Sequence, residues 1–120
     1  MEDVKTSIVI IHHFGNLIER CLKSLEKSLQ KIVITSEITR NEWLYTAKNE
    51  PTFKRNFGVA VAFGKYIVFV DDDVEVKYDC IKQMEWYLDN HKEVGMVYAL
   101  LYKMNDHNKI DTSGSFLTWC

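Results

Sequence analysis

Lys65-Tyr-Ile-Val-Phe-Val-Asp-Asp-Asp-Val-Glu-Val76 decides how the rest of the chain reads. Five apolar or aromatic residues, Tyr66 to Val70, run directly into three carboxylates, Asp71, Asp72 and Asp73. A short apolar run rich in β-branched and aromatic residues predicts a strand buried on both faces. In an open α/β sheet, ligands bind outside the carboxyl ends of the strands. Adjacent aspartates repel one another unless a positive charge sits among them, and hard oxygen donors suit Mg²⁺ or Mn²⁺, ions that commonly bridge carboxylate to phosphate. The first expectation is therefore a metal–phosphate site at a strand end. The alternative is a solvated acidic loop, because aspartates also favour turns and helix N-caps.

Outward from this stretch the pattern alternates. Ser7-Ile-Val-Ile-Ile11 predicts a first strand, ending in His12-His13-Phe14-Gly15-Asn16 with Asn16 as helix cap. A helix to about Ser28 follows, with Leu17, Ile18, Cys21, Leu22, Leu25 and Leu29 on its apolar face. Ile32-Val-Ile34 predicts the second strand, so strand, helix and strand form a right-handed parallel unit. Glu37 then stands at the same sheet edge as the aspartates, either accepting from a sugar hydroxyl or simply solvated. Trp43-Leu-Tyr45 reads as a short strand or one helical turn.

Pro51-Thr52 starts a helix to about Phe63, with Phe53, Phe57, Ala60 and Val61 towards the core and Gly64 closing it. Its first turn holds Lys54, Arg55 and Asn56. Cations there oppose the helix dipole, so they call for a phosphate or carboxylate partner, or else reach into water at a small cost. After the aspartates, Asp79 caps a helix to about Asn90, with Cys80, Ile81, Met84, Tyr87 and Leu88 on one face and Trp86 pointing away. Met96 to Tyr102 reads as a strand. Asn105-Asp106-His107-Asn108 turns the chain into a hairpin-like return through Ile110, and Asp111 to Ser115 reads as a polar loop before the apolar Phe116 to Cys120.

With 120 residues, 47% of them apolar, the chain makes one domain, 1–120. Fifteen basic against 17 acidic residues give a net charge of -2, which removes any global pull towards nucleic acid, and no basic stripe or aromatic platform suggests one locally. Cys21, Cys80 and Cys120 are odd in number and lack Cys-x-x-Cys spacing, which argues against a disulfide framework or structural zinc and for free thiols in a cytoplasmic setting. Met1 to Ser7 is polar and charged, unlike a signal peptide, and no apolar run approaches a bilayer span. Exposed Trp86 and Phe116 to Trp119 read as surface that a second copy covers, a homodimer.

These pieces, in this order, resemble the N-terminal, nucleotide-sugar-binding half of inverting GT-A glycosyltransferases of family 2. The likeness rests on Ser7 to Ile11 with the helix from Leu17 to Leu25, on Lys54-Arg-Asn-Phe-Gly58 with Ala62-Phe-Gly64, and on Tyr66 to Asp73 as a "DXD"-type signature. Val94-Gly-Met-Val-Tyr98 followed by Ser113-Gly114 completes it. The resemblance implies an α/β fold, a Rossmann-like (GT-A) three-layer α/β/α domain with a mostly parallel sheet, here truncated. It implies a UDP-, GDP- or dTDP-sugar donor and a glycan or lipid-linked acceptor, with the enzyme cytoplasmic and peripheral to the membrane. Asp71 or Asp72 would lie near the ribose or sugar, Asp71 and Asp73 would hold Mn²⁺ or Mg²⁺, and Lys54, Arg55 and Asn56 would lie near the nucleotide.

Three departures from the family pattern matter. Thr35-Ser36 stands where the family has an aspartate, with Glu37 as the substitute. His12-His13 replaces an Asn-Tyr type turn, leaving His12 either a nucleotide contact or a loop histidine without a ligand. The catalytic base and acceptor site belong to a second half outside this chain, so no base is assigned. A non-catalytic nucleotide-sugar-binding module or a truncated product is the alternative, which donor hydrolysis or transfer would separate from an enzyme. A signalling receiver domain is disfavoured because His12-His13 stands where it needs acidic residues.

Overall fold

A computed structural model describes residues 4–25, 27, 29–103 and 106–112. The chain divides into two compact units, Met1–Tyr78 and Asp79–Cys120. In the first, β1 (Thr6–His12), α1 (Ile18–Ser24), β2 (Gln30–Thr35), β3 (Leu44–Tyr45), α2 (Pro51–Val61) and β4 (Tyr66–Asp71) follow one another. The four strands form one all-parallel sheet in the order β3-β2-β1-β4. This is the α/β, Rossmann-like arrangement expected.

The centre of the sheet is β1, whose Ile8, Val9 and Ile10 are all but inaccessible to solvent. Side chains alternate across a strand. Val9 therefore shares a face with Ile32 and Ile34 of β2, and Phe57 and Ala62 pack against this cluster. Ile10 and Val33 pair on the opposite face, which the handedness of the β1–α1–β2 crossover assigns to α1. Buried Ile18 and Cys21 are the α1 residues available to cover it.

Several elements differ from the sequence reading, each for a physical reason. The β4 strand is not buried on both faces. Among the described residues it is an edge strand with β1 as its neighbour, and because α2 packs over β1 and β2, Ile67 and Phe69 remain 37% and 49% exposed. The expected core face of α2 is also rotated. Lys54 and Gly58 are the buried positions, with Phe57 beside them, while Phe53, Ala60 and Val61 are exposed. Gly58 sets this rotation, since a Cβ added there would lie 2.3 Å from Val9 Cγ1. The helix can approach β1 this closely only along a line without a side chain.

Gly64 is likewise a close-approach residue rather than a helix terminator. The helix ends at Ala62 in an extended conformation, and a Cβ on Gly64 would lie 2.6 Å from the Ser7 backbone nitrogen. Its N–H donates to Ser7 Oγ at 2.8 Å. At α1 the residue before the helix is Leu17, without a side-chain cap. The Asn16 side chain instead accepts from Arg40 at 2.5 Å. The helix stops at Ser24, where the Leu25 backbone turns extended.

The second unit contains α3 (Cys80–Asn90) and an antiparallel pair, β5 (Leu101–Lys103) and β6 (Asp106–Thr112). Of the apolar face expected on α3, Ile81 is buried, Cys80, Met84 and Leu88 are half-buried, and Tyr87 is exposed and stacked on His91 at 4.0 Å. Trp86 is 62% exposed, as its position predicts. The strand expected over 96–102 is confined to Leu101–Lys103, and Met96, Tyr98 and Leu100 upstream of it are exposed. The return through Ile110 is present as β6, which includes Asp111 and Thr112 where a loop was expected. Residues 113–120, including Phe116 to Cys120, lie outside the described residues. Among the described residues no helix is long and apolar enough to cross a membrane.

Candidate functional site

From β1 the chain passes to β2 on one side, while β4 lies on the other. The carboxyl ends of β1 and β4 therefore flank the point where strand order reverses, the usual ligand crevice of such sheets. Register places Ile11 opposite Asp71, so His12-His13 and Asp71-Asp72-Asp73 meet at this crevice. Asp71 and Asp73 are exposed and Asp72 half-buried. The His13 N–H donates to Asp72 Oδ2 at 3.2 Å, and the Asp71 carbonyl accepts from Val74 N–H at 3.2 Å, closing the turn that presents the carboxylates.

The acidic cluster lies close to the Cys21 thiol. Cys21 Sγ lies 3.6 Å from the Asp71 carbonyl. Burial pushes this thiol up to about 11, and the negative charges of Asp72, Asp73 and Asp71 add to the shift. Cys21 is thus an inert core thiol.

The other residues expected at the site divide into exposed and inward-turned groups. Arg55 and Asn56 are exposed on the first turns of α2. Lys54, next to them, is only 1% exposed. Its ammonium donates to Asn49 Oδ1 at 2.6 Å and to the His12 carbonyl at 3.2 Å. Burial pulls the Lys54 ammonium below its ordinary value of 10.5, and the nearby charge of Asp72 partly opposes this.

His12 is fully buried. Its Nε2 lies 2.9 Å from the Gly15 carbonyl, which can only accept, so Nε2 carries the proton. In the neutral ring Nδ1 then accepts from the Thr35 hydroxyl at 2.8 Å. With Trp43 4.9 Å away by ring centroids, the imidazole is a strut between the ends of β1 and β2. Its two nitrogens are occupied within the protein, and the ring is not exposed at the strand ends.

Glu37 extends the same network. Its backbone N–H donates to Thr35 Oγ1 at 3.0 Å, Oε1 accepts from Gly15 N–H at 2.9 Å, and Oε2 accepts from Arg40 Nε at 2.9 Å. Arg40 also donates to the Gly15 carbonyl at 2.9 Å and lies 4.9 Å over the Trp43 ring. The turn after β1 is thereby stitched to the loop after β2. Arg40 and Asn49 were not singled out from sequence, and Trp43 was read only as part of a short strand or helical turn. The Glu37-x-x-Arg40 spacing was the available signal for the first. Nearby, Ser36 Oγ is buried and has no hydrogen-bond partner among the described residues.

The Glu37 carboxyl is held below its ordinary value near 4.5, chiefly by the Gly15 N–H and then by Arg40. A depressed carboxylate contributes stability that is present above the unfolded value and is lost as pH falls through the folded one. Glu37→Gln is therefore expected to lower the urea midpoint at pH 7, with the gap from the parent closing as pH falls below about 4.5. A gap that stays constant down to pH 3 would show that the Glu37 charge does not matter.

The sequence pattern described as Glycosyl transferase family 2 matches residues 44–116. Among solved structures, the crystal structure of S. aureus TarS 1–349 is similar, with a TM-score of 0.61 and 21% identity, covering 74% of this chain and 33% of that one. At that identity the likeness is one of fold, and this chain spans about a third of the length of the structure it matches. No curated protein matches the chain.

Proposed function

Because the chain belongs to glycosyl transferase family 2, we propose that its strand-end crevice binds a nucleoside diphosphate sugar for transfer to an acceptor hydroxyl. The observation that carries this reading is the presentation of Asp71, Asp72 and Asp73 at the strand-order reversal, opposite His13 and flanked by the ends of β1 and β4. Asp71 and Asp72 are the donor contacts on this reading, with exposed Arg55 and Asn56 towards the nucleotide. His12, Glu37 and Lys54 support these contacts from beneath.

The residues present fit a divalent ion. Asp71 and Asp73 are exposed hard-oxygen donors. Among the described residues no group of three or more His, Cys, Asp or Glu side chains could hold an ion. Two carboxylates completed by diphosphate oxygens and water are an ordinary Mg²⁺ or Mn²⁺ set. When bound, the ion stabilises the charge of the departing diphosphate as a Lewis acid.

In the transfer the acceptor oxygen bonds to the anomeric carbon as the bond to the diphosphate breaks, inverting that centre. The acceptor proton passes to a general base, which is not among the residues assigned here. A glycan or lipid-linked acceptor, a cytoplasmic location peripheral to the membrane in the lipid-linked case, and a homodimer that covers exposed Trp86 belong to the same reading.

Calorimetric titration with UDP, GDP and dTDP, each with and without Mn²⁺, tests it. Metal-dependent binding of one nucleotide supports the donor site and identifies the donor class. A folded sample that binds none of them overturns the donor-site reading.

A further inference from the structure

Burying an ammonium costs several kcal/mol unless it is well partnered, and an apolar residue of similar volume would fill the Lys54 position without that cost. What the charge contributes lies in the peptide unit between His12 and His13. Its carbonyl accepts from Lys54 Nζ at 3.2 Å, and its N–H donates to Asp72 Oδ2 at 3.2 Å. One peptide plane is thus held by a cation at one end and a carboxylate at the other. The cation draws electron density through the carbonyl, which makes the N–H a stronger donor, and bonds in such a chain reinforce one another.

The lysine end is itself fixed. Asn49 Oδ1 accepts from Nζ at 2.6 Å, and the side chain is 1% exposed. Gly58, one helical turn on, holds α2 against Val9 of β1. Lys54 therefore enters from a helix that cannot retreat without opening the core.

We propose that Lys54 is a positioning residue for Asp72, acting through the His12–His13 peptide and not by touching the donor. The proposal deepens the donor-site reading above and rests on it for its functional consequence. Its structural content is that charge at position 54 orients a carboxylate on the far side of a peptide bond.

The test is Lys54→Met, followed by two readouts. The first is the His13 backbone amide by NMR, which needs no ligand. Its proton resonance is expected to move upfield and its hydrogen exchange to accelerate roughly tenfold or more, while amides in the centre of β2 keep their protection. The second is affinity for the nucleoside diphosphate that the parent binds with Mn²⁺. This is expected to fall about tenfold, on the order of one well-oriented hydrogen bond lost, and Lys54→Arg is expected to restore part of it.

A purely structural lysine would instead weaken protection across the sheet without singling out His13. An unchanged His13 amide in folded K54M overturns the proposal. So does unchanged affinity in K54M where the parent binds. If the parent binds no nucleotide, the donor-site reading fails, and the His13 amide still decides the clamp. Should K54M not fold, Lys54→Gln keeps a donor without the charge. The same His13 shift is expected there, and its absence is equally decisive.

Discussion

Asp73→Asn is expected to lower affinity for the nucleotide in the presence of Mn²⁺ about 100-fold, and to change metal-free affinity little. Replacing groups that merely orient metal ligands costs about 10- to 100-fold, so losing one of two ligating carboxylates belongs at or beyond the top of that range. A hundredfold corresponds to about 2.7 kcal/mol of binding free energy. Asp73 is exposed at the turn after β4, so the substitution should leave stability within about 0.5 kcal/mol of the parent. Calorimetry with the cognate nucleotide, alongside a thermal melt, checks both halves. Parent-like affinity in the presence of Mn²⁺ would remove Asp73 from the metal site.

Gly58→Val is expected to destabilise the protein by about 3 kcal/mol or more. Overpacking a well-filled core costs about 1–3 kcal/mol. Here even the first added carbon would sit 2.3 Å from Val9 Cγ1. The obstacle is a β-branched side chain on the central strand, with stiff χ1, so it cannot swing aside as a long flexible chain would. Two further methyls leave the helix no option but to lift from β1. For a fold whose whole stability is about 5–15 kcal/mol, that is a large share. Gly58→Ala should be milder, because the gain in helix propensity of about 1 kcal/mol offsets part of the clash. Urea unfolding measures both. A valine variant as stable as the parent would mean that α2 is not seated on Val9.

The elements visible in the sequence were those that local pattern determines. The apolar run Ser7 to Ile11 is a central strand, with Ser7, Ile8, Val9 and Ile10 inaccessible, and Tyr66 to Asp71 is a strand that delivers its aspartates to a sheet edge. The strand-order reversal beside them arises because the chain runs from β1 to β2 and β3 on one side and then returns through α2 to place β4 on the other side of β1. The side on which a helix lies down is harder to see. By periodicity, Phe53, Phe57, Ala60 and Val61 form an apolar stripe, and Lys54 reads as a first-turn cation that reaches out to an anionic partner or into water. The actual contact line runs through Gly58, a residue with no hydrophobicity to announce it. Lys54 follows Gly58 inward.

The same limit applies to His12 and Glu37. As types in strand-end loops they read either as ligand contacts or as loop residues without a ligand. Their partners, Gly15, Thr35 and Arg40, become neighbours only after β1 and β2 pair, which no local window displays. The exposed apolar residues of β4 could not have been foreseen either, because an edge strand and a central one share the same composition.

The central claim is that the aspartates after β4 are where a nucleoside diphosphate and its metal bind. Paramagnetic broadening tests it most directly. Substoichiometric Mn²⁺ is added with the cognate nucleotide to ¹⁵N-labelled protein, and loss of amide signal is mapped along the chain. The account predicts broadening centred on residues 71–73 and on His13 across the crevice, absent in Asp73→Asn. Broadening centred elsewhere in the chain, with residues 71–73 sharp, would contradict it.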